Sequence, residues 1–216
     1  MGTKKYETGI TYKYYWESLN TIDSYVSFLN QIKEIYNLKP KSVLEIGIGN
    51  KILQNQLKSI GLEVTTVDIN TQLKPDVVAD VRQLPFSDNS FDVACAFEVL
   101  EHIPFEDFEV ALQELKRVSK KHVVISLPIS KIGFEFSMWL PFIHHIYFYL
   151  PFPITLKHKG VTNDTDCHYF EVNKKGFSKT KILNIFKKHF KVLNHFSPKF
   201  NKHHWIIILE KKSLEV

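Results

Sequence analysis

The sequence predicts an α/β fold, a doubly wound sheet of seven mostly parallel strands with helices on both faces. Three observations carry that prediction. Short apolar runs alternate with helix-forming stretches from residue 42 to residue 127. The first run, Val43-Leu44-Glu45-Ile46, stops in two glycines one residue apart, Gly47 and Gly49, and a helix-forming segment follows. The next two runs end in acids, Asp68 and Asp80. A strand that stops in a glycine turn and opens a helix is how such sheets build a nucleotide cradle. The chain has 216 residues. That fits one domain, 1–216, able to bury about 70% of its unfolded surface.

The elements follow in order. Residues 17–37 read as one helix, because Leu19, Ile22, Tyr25, Leu29, Ile32 and Tyr36 form an apolar stripe at steps of three and four. With Tyr12, Tyr14, Tyr15 and Trp16 before it, residues 1–38 make a helical cap. Strand 42–47, helix 50–60 and strand 63–68 come next. The crossover Ile69 to Pro75 is too short for a full helix, and strand 76–80 follows it. Strand 91–97 precedes helix 104–119, which has Pro104 near its first turn, where a missing amide costs little. Phe108, Ala111, Leu112, Leu115 and Val118 give that helix its apolar face. His122 to Leu127 is a nearly continuous apolar strand, as parallel strands covered on both faces are. Helix 177–189 and strands near 190–196 and 203–210 close the chain.

The cradle motif carries chemistry. Gly47 lets the chain turn with φ unrestricted, and Gly49 lets bare backbone approach a ligand. Glu45 places a carboxylate where a pyrophosphate is repelled and a cationic group is welcomed. Asp68 lies about 20 residues past the glycines, the spacing at which an acid accepts hydrogen bonds from ribose hydroxyls. A nicotinamide dinucleotide is the first rival. Its fingerprint needs a third glycine where this chain has Ile52, and it gives Glu45 no role.

Three further runs decide between them: Val77-Val78-Ala79-Asp80-Val81, then Leu84 to Asp92, then Val93 to Ile103 with Phe97-Glu98 and Glu101-His102 inside it. Over roughly residues 40–128 the chain resembles the class I S-adenosylmethionine-dependent methyltransferases. Within them it resembles the small-molecule type 11 group that includes quinone-biosynthesis enzymes. The resemblance implies a Rossmann-like sheet with an antiparallel edge strand, and S-adenosyl-L-methionine as cofactor. It implies that Glu45 and the Gly47–Gly49 loop, with Asn50, face the methionine part of the cofactor. Asp68, with Ile69, takes the ribose. Asp80 accepts from the adenine amino group, and Val81 lies beside the ring. Phe97 and Glu98 lie next to the cofactor. The family usually has glycine two residues after Gly49, and this chain has Lys51. The expectation is a displaced helix start or a side chain turned to solvent, with a reach to the cofactor carboxylate as the alternative.

Residues 129–172 break the pattern. No Asp, Glu, Lys or Arg occurs from Phe136 to Leu156, and aromatics crowd the stretch. The length suits a membrane span, but Pro141, Pro151 and Pro153 would break one and His144-His145 sits at its middle. The expectation is an aromatic-rich lid over the acceptor pocket, inserted after the fifth strand, with peripheral membrane contact through 136–156 as an additional role.

Bulk properties bound the rest. The net charge is +5 and the pI about 9.0, tolerant of an anionic partner but weak support for nucleic acid. Most of the excess is a lysine face on the helix near 177–189. Nucleic-acid base methylation is further disfavoured because Phe97-Glu98-Val99-Leu100 stands where such enzymes usually carry an Asn/Asp-Pro-Pro-aromatic motif. Cys95 and Cys167 make neither a disulfide framework nor a metal-ligand spacing, and no metal site is expected. The start of the chain lacks an apolar signal core, so a cytoplasmic location is the default.

The expected activity is methyl transfer to a small molecule, at oxygen, the acceptor being apolar, aromatic, lipid-linked or glycan-lipid. Holding the reactants in line supplies roughly 7–11 kcal/mol, against some 3–5 kcal/mol from a general base. If a base is used, histidine is the natural group. His102 and His168 are the catalytic candidates, with His144 and His145 weaker, and His203 and His204 expected to be exposed by an edge strand. The alternative is a non-catalytic cofactor-binding interaction protein of the same fold.

Overall fold

The computed structural model describes residues 11–142, 144–152, 154–157, 168–201 and 203–212. Residues 1–10 of the expected cap, and residues 158–167 of the expected lid with Cys167, lie outside them. Helices α1 (Tyr12–Leu19) and α2 (Ile22–Asn37) lead into β1 (Ser42–Ile46), α3 (Ile52–Ser59), β2 (Glu63–Asp68) and β3 (Val77–Val78). Then come β4 (Phe91–Phe97), α4 (Phe108–Val118), β5 (Ser119–Pro128), β6 (Gly133–Leu140) and β7 (His144–Pro151). Helix α5 (Lys179–His189), β8 (Phe190–Phe196) and β9 (His204–Lys211) end the described chain.

The main sheet has seven strands in the order β3-β2-β1-β4-β5-β9-β8. The first five are parallel. Strand β9 runs antiparallel to both β5 and β8, so the antiparallel strand belongs to the C-terminal hairpin at that edge. Both faces are covered. Leu44, Ile46, Ala94, Ala96, Val123 and Ile125 face a layer built from α4 and α5, including Phe108, Leu112, Ile182 and Phe186. Val43, Val93, Cys95 and Val124 face the other way, onto Ile35 of α2 and Leu53 and Leu57 of α3. The period of two along a strand divides β1 between these layers, and it turns Glu45 onto the α2/α3 side. Burial of the Cys95 thiol in that layer, with the Glu45 charge beside it, pushes its pKa well up.

Several expectations change in detail. The single helix 17–37 is two, because Thr21 caps a new start by accepting from the Ser24 amide. Strand 76–80 shrinks to two residues, since beyond Val78 the chain turns and Asp80 bridges to Gln83. Helix 104–119 begins with a 3-10 turn, Phe105–Asp107.

The largest change concerns the lid. Strands β6 and β7 pair in register from Gly133↔Pro151 to Leu140↔His144 as a separate antiparallel hairpin. None of its residues lines the cavity at the tips of the main strands. Of the expected lid span 129–172, His168 does line that cavity, and residues 158–167 lie outside the described ones. The sequence signal was an alternation, Phe134-Glu135-Phe136-Ser137-Met138 and Ile146-Tyr147-Phe148-Tyr149-Leu150, which is the period of a strand.

Candidate active site

A cavity of about 430 Å³ opens at the carboxyl ends of β1, β2 and β4. Its floor is the turn after β1. Gly47 has φ +78°, donates its amide to the Val67 carbonyl at 2.8 Å, and would drive a Cβ into the Val99 side chain. Gly49 has φ +43° and faces Tyr15 and Leu19 across the opening. Both glycines are therefore required by conformation, and Gly47 also by space.

Lys51 explains its own departure from the family pattern. It caps α3 at φ +63°, a left-handed conformation that glycine adopts freely and a side chain adopts at a cost. Its ammonium lies 3.5 Å from the Lys74 carbonyl oxygen, and the residue does not line the cavity. The cradle is therefore left open on the Lys51 side.

Two carboxylates line this end. Glu45 is 3% exposed, and its Oε2 has no hydrogen-bond partner among the described residues. Burial pushes its pKa up to about 8, against a smaller downward pull from Lys58. Asp68 accepts from the Ile48 amide at 3.0 Å and the Asn70 amide at 2.9 Å, which ties β2 to the glycine loop. Burial raises the Asp68 pKa despite those donors. Asn50 is buried. Its Oδ1 accepts from the Ile52 amide, and its Nδ2 has no partner among the described residues. An orphan donor and an orphan carboxylate, both buried, at one end of a cavity fit the carboxylate and ammonium of an amino acid. Asp68 keeps lone pairs for ribose hydroxyls. These residues fit S-adenosylmethionine.

Phe97 and Glu98 also line the cavity. Glu98 sits at φ +54° at the end of β4. Its Oε1 accepts from Ser126 Oγ at 2.7 Å, and its Oε2 lies 3.7 Å from His204 Nε2. Ile69, Asp80 and Val81 lie beyond the cavity lining. Asp80 is gripped by Arg82 through two bonds, 2.6 and 2.9 Å, and Arg82 reaches on to Asp107. Burial raises the Asp80 pKa, but the Arg82 fork and amide more than offset it and hold it low.

The same cavity holds the catalytic candidates. Glu101 is fully buried, and its Oε1 lies 3.9 Å from Nε2 of both His102 and His168. The two imidazoles are edge to face, centroids 4.9 Å apart. His168 Nδ1 also lies 3.5 Å from Glu171 Oε1. His102 follows β4, whereas His168 is 66 positions later by its number; backbone bonds bring them together. Tyr169 donates to the Glu101 carbonyl at 2.7 Å, and Val172 donates to the Pro128 carbonyl at 2.9 Å. The ligand atoms of Glu101, His102 and His168 all lie within 4.8 Å of one another, a spacing that a divalent cation could bridge. No metal site was expected from the sequence.

His204 corrects another expectation. It is half-buried, lines the cavity, and accepts or donates at 2.7 Å with Ser27 Oγ, which Gln31 also bonds. The antiparallel return of β9 brings its first residue to the strand tips, and nothing in the local sequence marks that. Tyr14, Tyr15 and Leu19 of α1 complete the wall.

The fold is that of the class I S-adenosylmethionine-dependent methyltransferases, and the residues of this cavity fit S-adenosylmethionine as cofactor. Residues 44–127 match the family model described as "Methyltransferase domain", about two fifths of the chain. The ubiquinone biosynthesis O-methyltransferase of Pseudomonas syringae pv. tomato is 33% identical over 91 residues, 35% of this chain and 39% of that protein. An uncharacterized protein of Methanocaldococcus jannaschii is 36% identical over 96 residues, 42% of this chain and 37% of that protein. The matches thus span about two fifths of these relatives. Among solved structures, the 1,6-didemethyltoxoflavin-N1-methyltransferase of Burkholderia thailandensis, with S-adenosylhomocysteine bound, aligns with a TM-score of 0.58 at 17% identity. That alignment covers 86% of this chain and 79% of that one. Magnesium protoporphyrin IX methyltransferase of Synechocystis, with S-adenosylmethionine bound, aligns at 0.54 and 15% identity, covering 97% and 88%. At these identities the solved structures speak for the fold.

Proposed function

We propose that the chain transfers a methyl group to the hydroxyl of an apolar small molecule, acting from the cytoplasmic side of a membrane. The carrying observation is the Glu101–His102–His168 cluster, which lines the same cavity as Glu45 and Asn50. When bound, the cofactor supplies an electrophilic sulfonium methyl. Glu45 and Asn50 hold its amino-acid end, Asp68 its ribose, with Ile69, Asp80 and Val81 toward the adenine. Phe97 and Glu98 wall the centre.

A phenol ionises near pH 10, so an oxygen nucleophile gains from a base at neutral pH. His102 or His168 takes the hydroxyl proton on a ring nitrogen. The buried Glu101 carboxyl group lies 3.9 Å from both rings. The substrate class is supported by the apolar segment beside the domain and by the name of the Pseudomonas relative.

A cofactor-dependent assay on a panel of phenols with and without prenyl or acyl tails tests this. His102→Gln and His168→Gln should each lower kcat by about 10²–10⁴-fold while the S-adenosylhomocysteine Kd stays within twofold. Full activity in the double variant would overturn the base assignment. The 4.8 Å grouping favours a second reading, a divalent cation that lowers the hydroxyl pKa at the same three residues. Activity lost on chelation and restored by a divalent salt would select it.

A further inference from the structure

The β6–β7 hairpin has two chemically different faces. Cross-strand partners share a face, and alternate pairs lie on opposite faces. Phe134↔Leu150, Phe136↔Phe148 and Met138↔Ile146 form one face, six apolar side chains, and the register continues on it to Leu140↔His144 at the turn. All six are exposed, from 37% at Ile146 to 58% at Phe134. The turn adds Phe142, fully exposed. The other face carries Glu135, Ser137, Tyr147 and Tyr149, with Trp139 70% exposed toward the turn, and its His145 and Tyr147 rings pack on Phe200. A contiguous apolar ladder of this kind, left uncovered, marks an interaction surface.

A second feature stands at the foot of the same hairpin. A cavity of about 830 Å³ lies between its base and the turn that enters α5. Its polar lining holds three lysines, Lys131, Lys174 and Lys175, with the hydroxyls of Ser130, Tyr149, Thr155 and Ser178 and the Asn173 amide. Among the described residues no Asp or Glu lines it. Lys174 is paired with Glu171 at 2.6 Å, but Lys131 has no acidic partner among the described residues. Burial, with the neighbouring Lys179 ammonium, pushes Lys131 down to about 8. The Tyr149 hydroxyl is buried and has no hydrogen-bond partner among the described residues. Glu135, the acid of the hairpin, pairs across from Tyr149 without lining the cavity. A half-buried Lys131 with no acidic partner among the described residues, an exposed Lys175 and an orphan hydroxyl lining one cavity favour an anion there.

The cavity adjoins the foot of the hairpin and takes Tyr149 and Pro151 from the face opposite the apolar ladder. We infer that β6–β7 rests on an anionic membrane, its apolar ladder against the acyl chains and the Lys131–Lys175 cavity holding a lipid headgroup phosphate. Charge decides the occupant. A second copy of this chain could cover the ladder, but it would bring the same lysines and no anion to the foot. Depth is set by hydrogen bonding. A two-stranded hairpin leaves both edges unpaired, so full immersion in hydrocarbon would strand its amides, and an interfacial position does not. The geometry also serves the active site. Strand β5 ends at Pro128, paired with His204 of the catalytic cavity, and the hairpin begins five residues later at Gly133 by its number. The membrane then lies at the strand tips where an apolar acceptor must enter.

This inference rests on the hairpin and its foot, and deepens the apolar-acceptor reading without requiring methyl transfer. The test is sedimentation of the full chain with vesicles of phosphatidylcholine, alone and mixed with phosphatidylglycerol. Binding is expected only with the anionic lipid, weakening with salt. Phe136→Ser with Phe148→Ser should abolish it, and Lys131→Gln and Lys175→Gln should each weaken it about fivefold, as expected for about 1 kcal/mol per lysine. All four residues are outside the cofactor cavity. An unchanged S-adenosylhomocysteine Kd therefore reports that the variants are folded and keeps this question separate from the methyl-transfer one. Three results would overturn the inference: equal binding to neutral vesicles, binding of inorganic phosphate with no vesicle binding, or a dimer in sedimentation velocity that Phe136→Ser with Phe148→Ser dissociates while vesicles go unbound.

Discussion

Glu45 is the residue whose chemistry depends most on the fold. Its pKa rises from an ordinary 4.5 to about 8, burial being the main cause. The folded value lies above the unfolded one, so the stability tied to the proton is fully present below pH 4.5 and is lost as pH rises through about 8. In that window the unliganded chain should lose up to about 1.4 kcal/mol per pH unit, and Glu45→Gln should flatten the slope in urea titrations. Ligand binding runs the other way. An ammonium beside Glu45 favours the carboxylate, so binding releases a proton and affinity rises with pH toward 8. Calorimetry in buffers of different ionisation enthalpy measures that proton directly.

Lys51 is a second residue with a definite expectation. Its φ of +63° costs a side chain about 1–2 kcal/mol. Lys51→Gly should therefore raise stability by about 1 kcal/mol with cofactor affinity unchanged. Asp68 and Asp80 separate in the same way. Asp68 lines the cavity, whereas both Asp80 oxygens are held by Arg82. Asp68→Asn should weaken S-adenosylhomocysteine binding more than tenfold, and Asp80→Asn by less, as read by calorimetry.

At the scale of elements, α1 carries the sharpest expectation. It has eight residues and none of them is buried. A helix that short is marginal by itself, and here it has little packing to hold it. Yet Tyr14, Tyr15 and Leu19 wall the cavity. Helix α1 should therefore contribute to ligand retention more than to folding. Removing residues through Leu19 should leave the unliganded Tm within about two degrees and raise the S-adenosylhomocysteine Kd several-fold. The β1 turn behaves oppositely. A Cβ at Gly47 would meet the Val99 side chain, so Gly47→Ala should destabilise the chain and abolish binding together.

At the scale of the molecule, ligand and sheet are coupled by mass action. Ligand at about a hundred times its Kd stabilises by about 2.7 kcal/mol. For a chain of this size that is a Tm rise of about 5–10 degrees. Asp68→Asn should erase the rise at the same ligand concentration.

The parallel half of the sheet was legible because its causes are local. Strand β2 falls on residues 63–68 and β4 on 91–97 as read from apolar runs alone. Glu45, Gly47, Gly49 and Asp68 were legible because a turn of fixed length places them, whatever the rest of the chain does. Other features were set by contacts between distant segments. His204 reaches the cavity only because β9 runs back along β5, and His168 meets His102 only because backbone bonds at Glu101 and Pro128 pin the returning chain. The split of the cavity wall into α1 and α2, the Arg82 grip on Asp80, and the outward apolar face of β6–β7 are likewise tertiary facts. Sequence period decides which residues share a face of a strand or helix. Which face meets solvent, and which distant group it meets, is decided when the elements pack.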